Sequence, residues 1–220
     1  MKTLVIAPHP DDEVLGVGGT LFRRREEGHY LGWLIVTSID ASDGWTEKQV
    51  AKRKQEVQKI SDLYSFAEVF ELEIPATQLD IVPMNELVRE ISAVFASFQP
   101  NEVFVPHWGD VHSDHQAVFK AVASSSKWFR NPSINRILAY ETPSETDFGL
   151  ISNESFVPNV FIDITPYLEK KIDAMRIYES ELGKHPFPRS EESIQALATI
   201  RGATSGFHFA EAFQLLRERI

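Results

Sequence analysis

The stretch Ala7-Pro8-His9-Pro10-Asp11-Asp12-Glu13 follows a short apolar run, Thr3-Leu4-Val5-Ile6, and leads into a helical pattern that carries Gly16-Val17-Gly18-Gly19. It reads as a buried strand delivering one imidazole and three carboxylates to its own carboxyl end. In an open α/β sheet that end faces the crevice where ligands bind. An imidazole nitrogen and a carboxylate oxygen suit a zinc-like divalent cation, so His9 and Asp12 are candidate ligands of an open site. Pro10 stiffens the turn between them. Asp11, next to Asp12, can aim its carboxylate at a water molecule and serve as general base. Helix capping is the competing account, because acids in a first helical turn complement free N–H groups and the helix dipole. That account suits Glu13, but capping needs neither a histidine nor so many acids.

The glycines do not form a dinucleotide fingerprint. The G-x-G-x-x-G spacing is not met, and three acids ahead of the glycines would repel a pyrophosphate. Small residues here instead let the helix pack closely on a sheet. With 220 residues, 43% hydrophobic and 25% charged, the chain suits one domain, 1–220, with a substantial core. Its net charge of -10 argues against a nucleic-acid partner, which would call for a basic face. There is no cysteine, so any metal must be held by His, Asp and Glu. The run before His9 is too brief for a signal-peptide core, and no later stretch reaches about 18 apolar residues. The expectation is a cytoplasmic protein without a membrane partner.

Along the chain, strand and helix alternate. A helix over Val14 to Glu27 ends at Gly28, and a buried strand covers Tyr30 to Thr37. Ser38 to Trp45 is a polar rim loop. Thr46 with Gln49 forms a capping box for a charged helix reaching Leu63, to which Lys52, Arg53 and Lys54 contribute only a solvated face. A third strand covers Ala67 to Ile74, a helix Asn85 to Phe98, and a compact strand Glu102 to Pro106. Strands are further expected at Ile137 to Glu141 and Val160 to Ile164, and helices at Gln116 to Phe129, Tyr167 to Leu182 and Glu191 to Ile200. The tail Arg201 to Phe213 mixes Arg, His and Glu with glycines and aromatics, as a pocket lining would. This alternation predicts a mostly parallel sheet with right-handed crossovers.

The fourth strand also ends in a histidine-rich turn, His107-Trp108-Gly109-Asp110-Val111-His112-Ser113-Asp114-His115. His112 and His115 lie three apart at a helix start, so both can face one crevice and either can complete the His/Asp set. Two strand ends that each deliver histidines and aspartates are a stronger signal than one.

With both clusters in view, the chain resembles the LmbE-like or PIG-L family of zinc-dependent N-deacetylases acting on N-acetylglucosaminyl conjugates. The resemblance rests on Pro8-His9-Pro10-Asp11-Asp12-Glu13, on Asp110-x-His112-x-Asp114-His115 and on Ala210-Glu211-Ala212-Phe213. It implies a Rossmann-like, mostly parallel sheet flanked by helices. It also implies a zinc ion, or another divalent cation, held by His9, Asp12 and His115. Asp11 would be the general base and a protonated His112 the oxyanion stabiliser, with Asp114 orienting the ligands. The implied partner is a small carbohydrate conjugate, and a homo-oligomer is compatible with the sequence. Loose candidates for substrate contact are Asp43, Trp108, Arg201 and Glu211, with Trp45 or Trp108 stacking on the sugar. A metallohydrolase of another amide, ester or phosphoester stays open, as does a nucleotide-binding module, which the acidic turn disfavours. Glu13, His107, His185 and His208 have no assigned role.

Overall fold

A computed structural model describes residues 1–220, apart from the side chain of Asp43. Seven strands form one sheet: β1 (Lys2–Ala7), β2 (Tyr30–Ser38), β3 (Glu68–Pro75), β4 (Glu102–Pro106), β5 (Arg136–Tyr140), β6 (Val160–Asp163) and β7 (Ala210–Glu218). The helices are α1 (Asp12–Glu26), α2 (Glu47–Tyr64), α3 (Met84–Phe98), α4 (Ser113–Ser125), α5 (Leu168–Ile177) and α6 (Glu191–Ser205). Strand order is β3-β2-β1-β4-β5-β7-β6. Every pairing from β3 across to β5 is parallel, whereas β7 runs against both β5 and β6.

The chain winds outward from β1 through β2 to β3, then returns to place β4 on the other side of β1, with Leu4 opposite Val103. The reversal of strand order therefore lies between β1 and β4, and a crevice opens beyond their carboxyl ends. Those are the two ends that carry the histidine clusters.

The central strands are apolar on both faces because helices cover both, as parallel sheets require. Val5, Ala7, Trp33, Ile35 and Phe104 pack with residues of α1, α2, α5 and α6 on one side. Leu4, Ile6, Leu34, Val36, Val103 and Val105 pack with α3 and α4 on the other. The expected close approach of α1 is present. A Cβ on Gly16 would fall 2.2 Å from the Tyr140 ring, and one on Gly19 2.7 Å from Ile164. The Thr46–Gln49 capping box is formed in both directions.

Three stretches differ from the sequence reading. Helix α4 starts at Ser113, before the expected Gln116, because the His112 side chain caps it by accepting from the Asp114 N–H at 3.1 Å. Helix α5 ends at Ile177, short of Leu182: Tyr178 leaves helical geometry, its ring buries, and its hydroxyl bonds to Glu13 at 2.8 Å. The tail lines depressions as expected, but from helix and strand. Arg201 belongs to α6, and Ala210–Glu218 is a seventh strand inserted between β5 and β6. Small and charged residues there carry little intrinsic strand preference, and pairing on both sides overrides that.

Strand β7 also carries a buried ion pair. Glu211 accepts from the backbone N–H groups of Gly19 and Thr20 at 2.9 and 2.7 Å and from Lys171 Nζ at 2.6 Å. Glu211 and Lys171 are each 5% exposed. Replacing Glu211 by Ala would leave the ammonium buried without a counter-charge. The expected cost is about 3–5 kcal/mol of stability, to be read as a lowered urea midpoint.

Candidate active site

The turn after β1 is fixed at both ends. Pro8 O accepts from Thr37 N at 3.0 Å and from Thr37 Oγ1 at 2.7 Å, which ties the turn to β2. His9 N donates to Asp12 Oδ2 at 2.9 Å. Asp11, between them, has φ 142°, a conformation a non-glycine residue adopts only under strain. Its side chain makes no capping bond to α1, so helix capping does not account for this residue.

His9, Asp12 and His115 converge, and their ligand atoms could hold a metal ion. His9 Nε2 lies 2.9 Å from Asp114 Oδ2, and His115 Nδ1 lies 2.8 Å from Asp110 Oδ2. The remaining nitrogens, His9 Nδ1 and His115 Nε2, are each 3.3 Å from Asp12 Oδ2. Each imidazole thus has its outer nitrogen held by a carboxylate and its inner nitrogen turned to the common point. Carboxylate partners of this kind orient metal-binding histidines and set their tautomers. The donor set, two imidazoles and one carboxylate with no thiolate, suits zinc or a similar divalent cation.

A second trio, His9, His112 and Asp114, is also close enough to hold an ion. Its carboxylate is already engaged, because Asp114 accepts from Thr77 N at 2.7 Å and Leu79 N at 3.1 Å. This makes Asp114 an anchor between the turn after β3 and His9.

Electrostatics follow from this packing. Burial lowers the pKa of both His9 and His115, but flanking carboxylates outweigh it. Asp114 and Asp12 raise His9 to about 9, and Asp12 and Asp110 raise His115 to about 10. Burial pushes Asp12 up, yet His115 and His9 hold it well below the usual carboxylate range. Asp11 rises to about 7 through burial and the charge of Asp12, opposed by Arg189. Burial lifts Glu13 to about 8 against the Tyr178 hydrogen bond.

His112 moves the other way, lowered by burial and by the positive charge of His9 and His115. A divalent cation at the same place would act in the same sense. This direction disfavours the protonated His112 that the resemblance implies and favours the neutral ring. With Nδ1 accepting from Asp114 N, the proton of that ring resides on Nε2, and a hydrogen-bond donor is retained.

The cavity above these residues is about 190 Å³ and is walled by Thr37, Trp45, Arg53, Glu145, Glu181 and Arg189, among others. The expected rim loop Ser38 to Trp45 reaches it through Trp45, and two later segments reach it through Glu145 and Arg189. The loosely expected substrate contacts do not gather here. Trp108 packs on His107 and Phe119, with ring centroids 4.0 and 5.3 Å away. Arg201 pairs with Glu141 and faces a separate depression with Asp147 and Phe156. Glu211 is the buried partner of Lys171, and the side chain of Asp43 lies outside the described residues. Of the unassigned histidines, His107 is buried and lowered to about 4 by that burial, while His185 and His208 are exposed. Sequence reasoning missed Asp110 as the partner of His115, although it lies five residues ahead in the same motif. It also missed Arg53 and Glu181 in the cavity wall, for which the chain offers no local signal.

Comparison with known proteins gives the family. The family model described as PIG-L, GlcNAc-PI de-N-acetylase, matches residues 4–126, a span holding both histidine clusters. The chain belongs to the PIG-L family. Among its relatives, diacetylchitobiose deacetylase of Thermococcus kodakarensis is 28% identical over 228 residues, covering 98% of this chain and 83% of that protein. A conserved protein from Thermus thermophilus superposes with a TM-score of 0.78 at 26% identity, covering 99% of this chain and 96% of the other. N,N'-diacetylchitobiose deacetylase from Pyrococcus horikoshii shares the fold, with a TM-score of 0.77 at 24% identity over 98% and 84% of the two chains.

The raised histidine values give a metal-binding prediction. Near neutral pH both inner nitrogens carry protons, and a cation must displace them. Zinc binding at pH 7 is expected to release about two protons and to tighten as pH rises through about 9 and on past about 10, where proton competition from His9 and then His115 fades. Calorimetry in buffers of different ionisation enthalpy measures both quantities. Affinity that stays flat with no proton release would contradict the arrangement.

Proposed function

We propose that this protein is a metal-dependent N-deacetylase that hydrolyses the 2-acetamido group of an N-acetylglucosaminyl conjugate, releasing acetate and an amine. The observation that carries the reading is the pair of inward nitrogens, on His9 and His115, meeting Asp12 beneath a cavity that Asp11 and His112 also line. Family membership and the deacetylase relatives support the substrate class.

His9, Asp12 and His115 would hold zinc or another divalent cation. Such an ion supplies Lewis acidity, polarising an amide carbonyl and acidifying water. The protein groups do the rest. Asp11 Oδ2 is paired with Arg189, while Oδ1 has no hydrogen-bond partner among the described residues and is available to take a proton from attacking water. His112 Nε2–H would donate to the oxyanion as the carbonyl becomes tetrahedral. Asp11 then returns its proton to the departing amine. A cavity of about 150 Å³ holds a benzene-sized ligand. The cavity here, about 190 Å³, therefore takes the acetamido group, and the rest of a conjugate must lie over the rim, where Trp45 is 43% exposed and offers a stacking face.

Acetate release should be seen with N,N'-diacetylchitobiose, should vanish with a chelator and should return with zinc. A clear preference for non-sugar acetamides would refute the carbohydrate assignment while leaving the deacetylase. Asp11→Asn is expected to keep zinc and lower turnover on the order of 10²-fold or more. His115→Ala is expected to lose zinc affinity, and near-normal turnover of Asp11→Asn would remove Asp11 as the base.

A further inference from the structure

Asp11 is strained, makes no helix cap and carries only one side-chain partner on its carboxylate among the described residues, Arg189 Nη1 at 2.8 Å from Oδ2. Arg189 is itself fixed by two other segments. Its Nε donates to Ser144 Oγ at 2.8 Å, and its terminal nitrogens lie 3.3 Å from Glu145 and 3.2 Å from Glu181. Glu181 in turn accepts from Arg53, whose Nη1 donates to Pro10 O at 2.6 Å. Pro10 O belongs to the peptide that joins Pro10 to Asp11, so the chain of contacts closes on itself: Asp11, Arg189, Glu181, Arg53, Pro10.

The same region holds a third point. Asp11 N donates to Glu13 Oε2 at 3.1 Å, and Glu13 Oε1 accepts from Tyr178. Tyr178, Glu181 and Arg189 all follow the early end of α5. One segment, 178–189, therefore braces the N–H, the preceding carbonyl and the carboxylate of one strained residue. A strained backbone persists only where its surroundings over-determine it.

We propose that Arg189 is the positioning residue that aims Asp11, clamping Oδ2 so that Oδ1 faces the cavity. The inference rests on Asp11 acting as the base. Arg189 need not touch the substrate for this role, because it acts through the carboxylate. A guanidinium suits the task better than an ammonium, since its planar fork meets several oxygens in fixed directions. Removing the cation also raises the pKa of the carboxylate, so kcat is taken from the alkaline plateau of the pH profile, where Asp11 is ionised with or without Arg189 and a fall reports lost aim.

The test uses zinc-loaded protein and N,N'-diacetylchitobiose. Arg189→Ala is expected to lower kcat on the order of 10²-fold, the scale of a misplaced reacting group, with KM changed less than about threefold. Guanidinium ion added to Arg189→Ala should restore part of kcat. In an Asp11→Asn background the same change should cost less than about twofold, because the group it positions is already gone. Should Arg189→Ala fold poorly, Arg189→Lys keeps the charge without the fork and should lose about tenfold in kcat. A normal kcat, a loss confined to KM, or an equal loss with and without Asp11 would overturn the proposal. If the wild type released no acetate, the functional reading would fail, and the crystal structure of zinc-loaded Arg189→Ala would decide the inference alone. An Asp11 carboxylate in its original place refutes it, and a displaced one supports it.

Discussion

Strands β1 and β4 lie side by side because the chain winds outward through β2 and β3 before returning, and this adjacency sets Leu4 opposite Val103 and Val5 opposite Phe104. The two segments that follow them are far apart in sequence, yet they begin side by side in space. Neither end contains a complete ligand set. His9 and Asp12 come from one, His115 from the other, and each histidine's outer nitrogen is held by a carboxylate of the second cluster, Asp114 or Asp110. A register slip at β1 against β4 would separate all five groups. It would also carry apolar residues of both strands to the wrong faces, so the two-sided core and the site depend on the same pairing.

Charge in the metal-free protein follows from that geometry. Four carboxylates, Asp11, Asp12, Asp110 and Asp114, gather around two imidazoles, and the protons on His9 and His115 offset part of the repulsion. A cation replacing the inner protons would keep the carboxylates in place while leaving the outer hydrogen bonds undisturbed. Asp11 is the member of this group with no histidine partner. Its countercharge comes from Arg189, reached through a loop late in the chain.

Much of this was legible in the sequence, and the exceptions have physical causes. Uninterrupted apolar runs such as Val103-Phe104-Val105 mark strands buried on both faces, and the histidine clusters mark their ends. The family motifs named the converging residues, and the structure brings them together. Strand β7 was hidden because Ala210, Glu211 and Ala212 show no strand-like pattern until β5 and β6 pair with them on both sides. Arg53 looked like one more charge on a solvated helix face, since nothing local reveals that its guanidinium reaches back to Pro10. The end of α5 was misplaced for the same kind of reason: the helical stripe continues past Ile177, but burial of Tyr178 against Glu13 redirects the chain. Local pattern reads strands and motifs well. Contacts between residues far apart in the chain leave no trace in it.

The cavity wall also bears on which bond is cut. A phosphoester hydrolase needs cations free to meet a dianionic group, commonly with a second metal. Two guanidinium groups line this cavity, and both are already engaged: Arg189 by Asp11, Glu145 and Glu181, and Arg53 by Glu181 and Glu56. With Asp11, Asp12, Glu145 and Glu181 facing the same space, an incoming phosphate would meet more negative than free positive charge. A neutral amide meets no such barrier. It needs one polarised carbonyl, one base and one donor for the oxyanion, the parts proposed for a bound cation, Asp11 and His112.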